Sequence, residues 1–566
     1  MIILGLYHHH DACAALYDDY ECLASVALER VTRIKTDGNR LPTEAIDECL
    51  AAAGLKHADV EMVALPRVSY DLRYVKGPHL RWGILPWRPR YSPIRVVRRG
   101  LAKSVAQVMD APAIMAALGL RPETQAYFYN HHAAHALATL FHTTWPEALL
   151  YTADAGGDFV VYSARHFRDG RLTDLFGGDA DTFSRPWRQT EADSLGALYA
   201  LVTEALGFKR LRHEGKVLGL AAFGKPQHAP ELAAFYRVTD EGEIKATVGL
   251  RTIEAAVKRL AASSSREDLA ASVQQTLEDV MLTAIGRLLA RHPTRYLGVS
   301  GGVFANVKLT QRIAERFPLH EVFVFPAMSD QGEADGGVLE FLLARDGLEA
   351  WSARRSPLAD VYRGRDYTGD ADAVFARGGA RRIADTDLAE ATAGIVADGG
   401  IVGTFLGRME YGPRALGARS IMARATDRGI NDWLNKRLDR TEFMPFAPVV
   451  RAERVDELFV LPSSLHYTAN FMTVTCDVRE AWRERIPAVV HVDGTARPQI
   501  IHRTQNQLYY DILHAYERQT GIPALINTSF NVHEEPIINR PEEALRALLD
   551  KRVDYLVTDT GLWARN

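Results

Sequence analysis

The chain has 566 residues, of which 47% are hydrophobic and 24% are charged, and its formal net charge at pH 7 is −4. A chain of this length exceeds what one hydrophobic core usually supports, so at least two domains are expected. The composition is that of an ordinary soluble globular protein, and the small net charge gives no overall electrostatic basis for binding a nucleic acid or a membrane.

The N-terminal residues predict a strand followed by a hairpin. Residues 2–7 form an apolar run, and two further strand-like runs, 13–17 and 22–29, flank an Asp-Asp turn. The four cysteines lack CxxC spacing and lie in core-like segments, which predicts reduced thiols and a cytoplasmic protein. No window is long and apolar enough for a membrane span, so no stable membrane insertion is expected.

The loop after the first strand reads His8-His9-His10-Asp11-Ala12. A histidine titrates near neutral pH, so His10 is a candidate general acid or base. Three adjacent histidines are also compatible with a loop that has no chemical role.

Residues 67–103 differ from the rest of the chain in composition. They contain ten Lys or Arg and a single acidic residue, Asp71, interleaved with aromatic residues and prolines. One interpretation is a segment that contacts an anionic or sugar-like acceptor, or a membrane surface. The other is an irregular insertion whose aromatic side chains pack on its own domain.

Two histidines, His131 and His135, belong to the run His-His-Ala-Ala-His. On a helix, residues four apart project from one face, at a separation that suits a single metal ion. An alanine-rich helix can also carry histidines for packing or capping. Asp154 favours the metal, because it ends an apolar run and opens a glycine-rich turn over 154–158, where carboxylates and amides commonly face a phosphate.

Later segments of the N-terminal half add candidates. Glu214 and Lys216 offer a carboxylate and an ammonium beside a turn, or form a surface ion pair. The run 300–306, Ser-Gly-Gly-Val-Phe-Ala-Asn, lets amides approach a nucleotide closely, although Gly-Gly turns are common. Asp330 supplies a fourth metal ligand or caps the following helix. Alternation between strand-like and amphipathic runs favours an α/β fold, with strands at 148–154, 295–299 and 322–325 and helices at 194–207 and 269–291.

A stretch rich in Arg, Ser, Pro and Gly near residue 350 has no clear periodicity and predicts a linker. We therefore expect a first domain over 1–345, a linker over 346–367 and a second α/β domain over 368–566. Within the second domain, 388–397 predicts a helix and 400–405 a buried strand. No internal repeat is evident.

Positively charged side chains cluster in the C-terminal half. The run 412–420, Gly-Pro-Arg-Ala-Leu-Gly-Ala-Arg-Ser, places two arginines among glycines, so backbone amides and forked guanidiniums can converge on a phosphate-like group. The run 527–531, Asn-Thr-Ser-Phe-Asn, offers short donors. Together they predict a polyanion pocket formed by Arg414, Arg419, Arg440, Arg497, Asn527, Ser529 and Asn531. Arginines spread over a fold more usually form solvated surface.

Many strings in this sequence resemble those of the O-carbamoyltransferases of the NodU, CmcH and TobZ type, in order and at similar spacing. In the C-terminal half they are GRMEYGPRALGARS (407–420), HVDGTARPQ (491–499) and INTSFNVHEEPI (526–537). In the N-terminal half they are His10-Asp11-Ala12, Glu29-Arg30-Val-Thr-Arg33, HHAAH, the DAGGD turn, EGKVLGLAAFG (214–224) and SGGVFAN. The resemblance covers nearly the whole chain.

The resemblance implies an N-terminal domain of the ASKHA ATPase superfamily, similar to TsaD-type threonylcarbamoyl-transfer domains, followed by a YrdC-like domain. The YrdC-like half would make carbamoyl-adenylate from carbamoyl phosphate and ATP, with Mg²⁺ accompanying ATP, and the N-terminal half would move the carbamoyl group to a hydroxyl. His10 would be the base. Iron(II) or a similar divalent ion would be held by His131, His135, Asp154 and Asp330. The nucleotide would contact Gly157, Glu214, Lys216, Gly301, Gly302 and Asn306.

The chain departs from the family pattern at three places. Met444 stands where the family typically has a pocket arginine, and Arg437 or Arg451 is the candidate to compensate. The usual Asp-Gly-x-Gly turn is Asp154-Ala155-Gly156-Gly157, and the usual Gly-Glu-Pro is Glu534-Glu535-Pro536. The proposed metal ligands are intact.

The sequence thus predicts an ATP-dependent O-carbamoyltransferase that acts on a small-molecule hydroxyl in a specialised metabolite, a sugar or a lipid-linked sugar, with segment 67–103 selecting the acceptor. Two alternatives stay open. A tRNA threonylcarbamoyl-type transferase should show an extended basic surface, which is not evident, so no nucleic acid is expected. A non-catalytic nucleotide-binding scaffold would not need the full set of metal ligands. The sequence leaves the acceptor and a homo-oligomer open.

Overall fold

A computed structural model of the protein describes residues 1–77, 91–184, 188–438 and 445–566. These residues form two compact units. The first comprises Met1–Leu28 and Thr36–Leu358, and the second comprises Glu29–Lys35 and Ala359–Asn566. The predicted site residue Arg440, the family departure at Met444 and residues 78–90 of the basic segment lie outside the described residues.

The first unit is built on two five-stranded sheets. Its strands are β1 (Ile2–Tyr7), β2 (Cys13–Asp18), β3 (Glu21–Ala27), β4 (Met62–Pro66), β5 (Gln125–Tyr129), β6 (Ala148–Gly157), β7 (Val160–Arg168), β8 (Arg171–Phe176), β9 (Tyr236–Val238), β10 (Ile244–Ala246), β11 (Tyr296–Ser300) and β12 (Glu321–Val324). The strand order is β3-β2-β1-β4-β5 in one sheet and β12-β11-β6-β7-β8 in the other, and β9 pairs with β10.

The two large sheets share one topology. In each, three consecutive strands are antiparallel neighbours, β1 to β3 or β6 to β8. Two later strands then add in parallel, β4 and β5 beside β1, or β11 and β12 beside β6. This duplicated arrangement is the one expected for an ASKHA-type domain, so the predicted fold class is confirmed. The sequence shows no matching repeat, because strand order depends on which apolar faces pair rather than on shared residues.

Helices connect and cover these strands. They are α1 (Leu28–Thr32), α2 (Thr43–Ala53), α3 (Pro93–Arg98), α4 (Val105–Val108), α5 (Ala111–Ala117), α6 (His131–Phe141), α7 (Leu195–Ala205), α8 (Glu214–Ala221), α9 (Ala229–Ala233), α10 (Leu250–Ser263), α11 (Arg266–Arg291), α12 (Val307–Arg316) and α13 (Glu333–Ser352). Helix α6 follows the last strand of one sheet and α13 follows the last strand of the other. The two helices therefore occupy equivalent positions in the duplicated fold.

Helices α6 and α13 approach each other closely through a glycine. A Cβ atom on Gly336 of α13 would lie 2.2 Å from the carbonyl oxygen of Ala134 in α6, so any side chain there would force the helices apart. Gly5 of β1 allows a similarly close approach between β1 and α13, because a Cβ atom on Gly5 would lie 2.0 Å from the carbonyl oxygen of Ala334. Tight packing of this kind fixes the first turns of α6 and α13 relative to each other.

The second unit is also α/β, as predicted. Its strands are β13 (Tyr362–Asp366), β14 (Ala380–Ala384), β15 (Val402–Phe405), β16 (Arg408–Glu410), β17 (Ser420–Arg424), β18 (Ala447–Arg451), β19 (Phe459–Val460), β20 (Cys476–Val478), β21 (Thr495–Ala496), β22 (Gln499–Ile501), β23 (Ala524–Ser529), β24 (Tyr555–Thr558) and β25 (Leu562–Arg565). Its central sheet has the order β14-β25-β24-β15-β17-β23-β18-β22.

Two helices cover one face of this central sheet. The helices of the second unit are α14 (Thr368–Arg377), α15 (Leu388–Ala397), α16 (Ile430–Arg437), α17 (Val455–Leu458), α18 (His466–Ala469), α19 (Glu480–Arg483), α20 (Gln507–Thr520) and α21 (Pro541–Leu549). Buried side chains of α15 and α20, including Val396 and Tyr516, form one core with Val402, Met422 and Leu525 of the sheet. This core places β17 and β23 side by side at the centre.

Two local expectations differ from the structure. The predicted linker 346–367 is partly regular, because helix α13 runs to Ser352 across a kink at Gly347, and β13 begins at Tyr362. The predicted glycine-rich turn after Asp154 is instead the end of β6, which continues through a bulge to Gly157 before turning at Asp158 and Phe159. In both places local composition suggested irregular backbone, whereas tertiary packing and strand pairing extend the regular element.

Candidate active site

Helix α6 presents the two predicted metal-binding histidines from its first turns. Asn130 caps the helix, since its side-chain oxygen accepts a hydrogen bond from the backbone N–H of Ala133 at 2.9 Å. The backbone N–H of His131 donates to Asp158 at 3.1 Å. Alanine-rich sequence favours the helix, and the cap fixes where it begins. The imidazoles of His131 and His135 consequently face the same side, with ring centroids 4.8 Å apart.

The four predicted metal ligands meet in one buried cluster. Asp154 comes from the end of β6, and Asp330 from a short turn just before α13. One ligand atom from each of His131, His135, Asp154 and Asp330 lies within 4.8 Å of the others. The pattern of two helical histidines and two strand-end aspartates therefore identified residues that the fold brings together.

The nitrogens that face the carboxylates are not hydrogen-bonded to any described residue. His135 Nε2 lies 3.4 Å from Asp154 Oδ2 and 3.8 Å from Asp330 Oδ1. His131 Nε2 lies 3.7 Å and 3.9 Å from the same two oxygens. Both nitrogens are buried and lack a hydrogen-bond partner among the described residues. Separations of 3.4–3.9 Å are longer than typical hydrogen bonds and leave room for an ion between the four atoms.

Two residues that the sequence did not single out adjoin this cluster. Glu333 is fully buried, with Oε2 3.4 Å from His131 Nδ1 and Oε1 3.3 Å from His135 Nε2. The Tyr7 hydroxyl donates to Asp330 Oδ2 at 2.5 Å. Glu333 follows Asp330 by three residues, so both carboxylates lie on one face at the start of α13. That spacing is the signal that could have identified Glu333.

Charge in the cluster is balanced by protons when no cation is present. Although burial opposes their charged forms, the nearby carboxylates, Glu333 foremost, raise the pKa of His131 well above its ordinary value and that of His135 to about 9. Burial raises the pKa of Glu333 to about 8. Despite burial, the two histidines hold the pKa of Asp154 well below its usual range. A bound cation would replace these protons.

The donor set fits a divalent metal ion. Two imidazole nitrogens and two carboxylate oxygens are ligands that first-row divalent metals accept readily. Burying several carboxylates next to each other is unfavourable without compensating positive charge, which a metal ion provides. His131, His135, Asp154 and Asp330 therefore form a candidate metal centre, and Glu333 is placed to orient the His131 ring.

His10 lies at the edge of the cluster, as its predicted role requires. Its Nε2 is 3.3 Å from Asp330 Oδ2, and its side chain is 36% exposed. Its other ring nitrogen is 3.1 Å from Nδ1 of His9. Although burial disfavours the charged ring, Asp330 raises the pKa of His10 above its ordinary value. A partly exposed imidazole beside a candidate metal centre is able to exchange a proton with a bound hydroxyl group.

Gly157 leaves room for one of the histidines. A Cβ atom there would lie 2.0 Å from Cδ2 of His131. We expect Gly157→Ala to displace this imidazole and to weaken divalent-metal binding by about 10–100-fold, the range seen when the surroundings of a metal ligand are disturbed. Isothermal titration of the metal-free protein with Co²⁺ would measure the change. Gly215→Ala is the matched control, since nothing lies within 4 Å of the added methyl group. Equal affinities in the two variants would contradict the prediction.

The Ser-Gly-Gly run supports the candidate metal ligands. The Ser300 hydroxyl is 3.4 Å from Nδ1 of His135, and the Gly302 amide donates to Asp154 Oδ2 at 3.2 Å. Gly301 has φ +99°, and a Cβ atom there would lie 2.3 Å from the carbonyl oxygen of Ala153, so a glycine is required. Asn306 caps α12 by accepting from the Leu309 amide at 3.1 Å. The predicted nucleotide contacts of this run stay a prediction.

The Glu-Gly-Lys string begins helix α8, just after a turn at residues 210–212. The carboxylate of Glu214 accepts a hydrogen bond from the Leu211 amide at 2.6 Å, and burial raises its pKa. Lys216 is buried. The alternative of a surface ion pair therefore does not describe this lysine, and the predicted nucleotide contact of both residues remains a prediction.

In the second unit, three backbone amides of the predicted phosphate-binding run 412–420 donate to a buried carboxylate. Glu410 Oε1 accepts from the amides of Leu416, Ala418 and Arg419 at 2.7, 3.0 and 3.1 Å. The fully buried Arg419 guanidinium donates to the carbonyl oxygens of Leu406 and Ala418 and lies 3.7 Å from the Phe405 ring centroid. These contacts hold the loop and use those three amides, and the predicted phosphate contact of the run stays a prediction.

Arg414 has a different environment. It makes no hydrogen bond or ion pair with any described residue, and its Nε is buried without a partner among them. Burial lowers the pKa of Arg414 to about 10, and no carboxylate in the described part of the chain offsets this effect. A buried guanidinium without a counter-charge is unfavourable unless an anion binds to it. Arg414 is therefore the predicted arginine best placed for an anionic ligand.

Other predicted donors lie on the strands beside the Arg414 loop. Asn527 of β23 donates to the carbonyl oxygen of Ala415 at 3.0 Å and to Gln499 at 2.6 Å. Gln499 in turn donates to the carbonyl oxygen of Leu416 at 2.8 Å. Ser529 stands opposite Ser420 in the β17–β23 pairing. The hydrogen bonds of Gln499 and the β17–β23 register bring the strings 407–420, 491–499 and 526–537 together. Sequence spacing alone could not show this proximity.

The last two predicted donors are partly exposed. Arg497 lies two residues before Gln499, and its side chain is half-buried. Asn531 uses its side-chain amide to donate to the carbonyl oxygens of Val532 and Glu535 at 2.8 and 2.7 Å. Asn531 thereby closes the loop that follows β23.

Two family models match the chain. The carbamoyltransferase N-terminus model matches residues 2–73 and 103–339, and the carbamoyltransferase C-terminus model matches residues 393–565. The chain belongs to the carbamoyltransferase family. This carbamoyltransferase is accordingly a transferase enzyme, and its residues 74–102, within the basic segment, fall outside the matched ranges.

Curated relatives align with this carbamoyltransferase over most of its length. Nodulation protein NolNO of Sinorhizobium fredii is 32% identical, covering 98% of this chain and 78% of its own. An uncharacterized protein of a Synechocystis species is 30% identical over the whole chain and 96% of its own. Nodulation protein U of Azorhizobium caulinodans is 33% identical over 54% of this chain and 52% of its own.

Solved structures resemble this carbamoyltransferase more weakly. Full-length HypF covers 61% of this chain and 47% of its own, with 13% identity and a TM-score of 0.35. The activator of 2-hydroxyisocaproyl-CoA dehydratase from Clostridium difficile covers 62% of this chain and 98% of its own, with 10% identity and a TM-score of 0.33. These TM-scores are too low to carry a conclusion. In the part of the chain that the structure describes, no helix combines the length and apolar character needed to cross a membrane.

Proposed function

We propose that this carbamoyltransferase uses ATP to convert carbamoyl phosphate into carbamoyl-adenylate in its second unit. In its first unit it then transfers the carbamoyl group to a hydroxyl of a small acceptor, a specialised metabolite or a sugar. The observation that carries the proposal is the buried His131, His135, Asp154 and Asp330 cluster with His10 at its edge. A site of this composition suits proton transfer from a hydroxyl next to a developing negative charge.

Activation is chemically necessary because carbamate is a poor acyl donor. Carbamoyl phosphate and water give carbamate and phosphate, after which a carbamate oxygen attacks the α-phosphorus of ATP and the bond to pyrophosphate breaks. The product is a mixed anhydride with a good leaving group. Arg414, whose charge no described carboxylate offsets, supports this step in the second unit by binding the phosphate of an anionic substrate.

In transfer, the acceptor hydroxyl oxygen attacks the carbonyl carbon of carbamoyl-adenylate. His10 Nε2 takes the hydroxyl proton, the bond between the carbonyl carbon and the phosphate oxygen breaks, and AMP leaves with the electron pair. Asp330, which also accepts from Tyr7, orients His10. Iron(II) or a similar divalent ion, held by His131, His135, Asp154 and Asp330, would supply charge stabilisation at the leaving phosphate.

The acceptor-selecting role proposed for segment 67–103 is supported by the family match. Most of this segment, residues 74–102, lies outside the family model, whereas the candidate metal ligands lie inside it. A segment that lies outside the matched range is a suitable place for specificity toward one acceptor.

The experiment that tests this function omits the acceptor. The purified protein is incubated with carbamoyl phosphate, MgATP and iron(II), and carbamoyl-adenylate is sought by mass spectrometry while pyrophosphate is assayed. We expect both products, in equal amounts and only when carbamoyl phosphate is present. If neither product forms with any divalent metal, the activation chemistry is not the function of this protein.

A further inference from the structure

Residues Glu29–Lys35, which we call the arm, follow β3 of the first unit directly in sequence but belong to the second compact unit. They include the first turn of α1 and two arginines, Arg30 and Arg33, whose side chains contact that unit. Neither arginine is among the predicted site residues. The arm therefore brings cationic groups from the start of the chain into the unit proposed to activate carbamoyl phosphate.

Arg33 recognises the backbone of one signature loop with both branches of its guanidinium. Its Nη1 donates to the carbonyl oxygen of Ile537 and its Nη2 to that of Pro536, each at 2.7 Å. Its Nε lies 3.2 Å from Glu543 Oε1. A planar fork is able to bond two successive carbonyls in this way, whereas a lysine ammonium cannot reproduce the geometry.

Arg30 holds the other signature loop. Its side chain is 3% exposed, and its Nη2 donates to the carbonyl oxygen of Gly412 at 2.8 Å. Gly412 has φ +102°, a conformation that favours glycine, and it lies two residues before Arg414. Arg30 Nε is 3.4 Å from Glu29, and its Nη1 is buried without a partner among the described residues.

The two loops held by the arm are those that carry predicted anion-binding residues. Gly412 begins the loop that presents Arg414. Pro536 and Ile537 end the loop that Asn531 closes at Glu535, directly after β23 with its Asn527 and Ser529. Loops rely on such tertiary contacts for their conformation, because they have few internal backbone hydrogen bonds. Contacts from the arm therefore hold both of the loops that carry the predicted anion-binding residues.

We propose that Arg30 and Arg33 are positioning residues for the carbamoyl phosphate and ATP site of the second unit. The proposal rests on the function proposed above. Arg33 fixes the end of the loop after β23, and Arg30 fixes the backbone immediately before Arg414. Arg30 Nε lies 3.4 Å from Glu29 Oε1, and no described carboxylate offsets the charge of Arg414, so the surroundings of Gly412 keep the positive charge that an anionic substrate needs.

The test measures carbamoyl-phosphate-dependent pyrophosphate release by the full-length holoenzyme. For Arg33→Ala, Arg33→Lys and Arg30→Lys we expect KM for carbamoyl phosphate to rise about tenfold or more, because small displacements of binding groups have effects of up to about 100-fold. Arg33→Lys keeps the charge but loses the fork, so it should resemble Arg33→Ala. Co²⁺ binding at the histidine cluster should be unchanged. Arg40→Ala is the control, since Arg40 is paired with Asp37 and Glu44 in the first unit.

Each outcome separates the arm from the general function. Kinetics are measured at a temperature at which circular dichroism shows every variant to be folded, so a loss of stability alone leaves KM unchanged. If KM stays at the wild-type value in all three arm variants, or if Arg40→Ala raises it equally, the positioning role is overturned while the proposed activity stands. If the wild-type protein releases no pyrophosphate, the proposed activity itself fails, and the positioning role fails with it.

Discussion

Replacing His135 with alanine is expected to abolish divalent-metal binding and to lower the rate of carbamoyl transfer by about a thousand-fold. His135 contributes one of four ligand atoms that lie within 4.8 Å of one another. A metal ion provides several kcal/mol of charge stabilisation, and about 4 kcal/mol corresponds to a thousand-fold in rate. Metal content is measured on the purified variant, and transfer is followed by AMP formation from preformed carbamoyl-adenylate. Activation in the second unit should continue.

The control for this change is His132, which lies between the two histidines of the cluster. Its nitrogens are 2.7 Å from the Thr152 hydroxyl and 3.0 Å from the carbonyl oxygen of Val160, so its contacts are structural. His132→Gln should lower thermal stability and leave the metal content of the folded protein intact. A His135→Ala protein that retains a full equivalent of metal would show that the cluster is not the metal centre.

The second large effect is expected from Arg414→Ala, which should raise KM for carbamoyl phosphate in pyrophosphate release by about 100-fold. Hydrogen bonds to charged groups contribute about 1.5–3 kcal/mol, and roughly 3 kcal/mol corresponds to about 100-fold in affinity. Because the buried guanidinium has no counter-charge among the described residues, its removal should not destabilise the free protein. Thermal melting without ligand checks this point.

The matched control is Arg424→Ala. Arg424 lies on β17 and pairs with Asp427 at 3.1 Å, at a partly exposed position. Its loss should leave KM unchanged. If Arg414→Ala has a normal KM, or if it is strongly destabilised in the absence of ligand, then Arg414 has a structural role and the anion is bound elsewhere.

Helical spacing made the histidine cluster predictable, whereas other parts of the site depend on tertiary structure. His131 and His135 are four residues apart on a helix, and this spacing in the sequence is sufficient to place them on one face. Asp154 lies near the end of β6 and Asp330 follows β12, and these two strands flank β11 in one sheet. The three-residue spacing from Asp330 was the available signal for Glu333, but its approach to His131 and His135 depends on the close packing of α13 against α6.

The run 412–420, which was predicted to bind phosphate, shows how far residue types alone can predict a binding site. Glycines and arginines in 412–420 suggested free amides and two free guanidiniums. Glu410 accepts hydrogen bonds from three of those amides, and both terminal nitrogens of Arg419 donate to backbone carbonyl oxygens. A buried carboxylate six to nine residues away leaves no periodic signal, so the sequence could not distinguish Arg419 from Arg414.

Docking of the arm also has a consequence for the order in which the protein is made. Arg33 and Ile537 are bonded across 504 residues of chain. At a ribosomal rate of about 5–20 residues per second, roughly 25–100 s pass before the nascent arm meets its partners. The second unit is thus not an autonomous C-terminal module, and a fragment beginning at Ala359 lacks one of its parts. Its completion depends on synthesis of almost the entire polypeptide, so truncated products cannot assemble it.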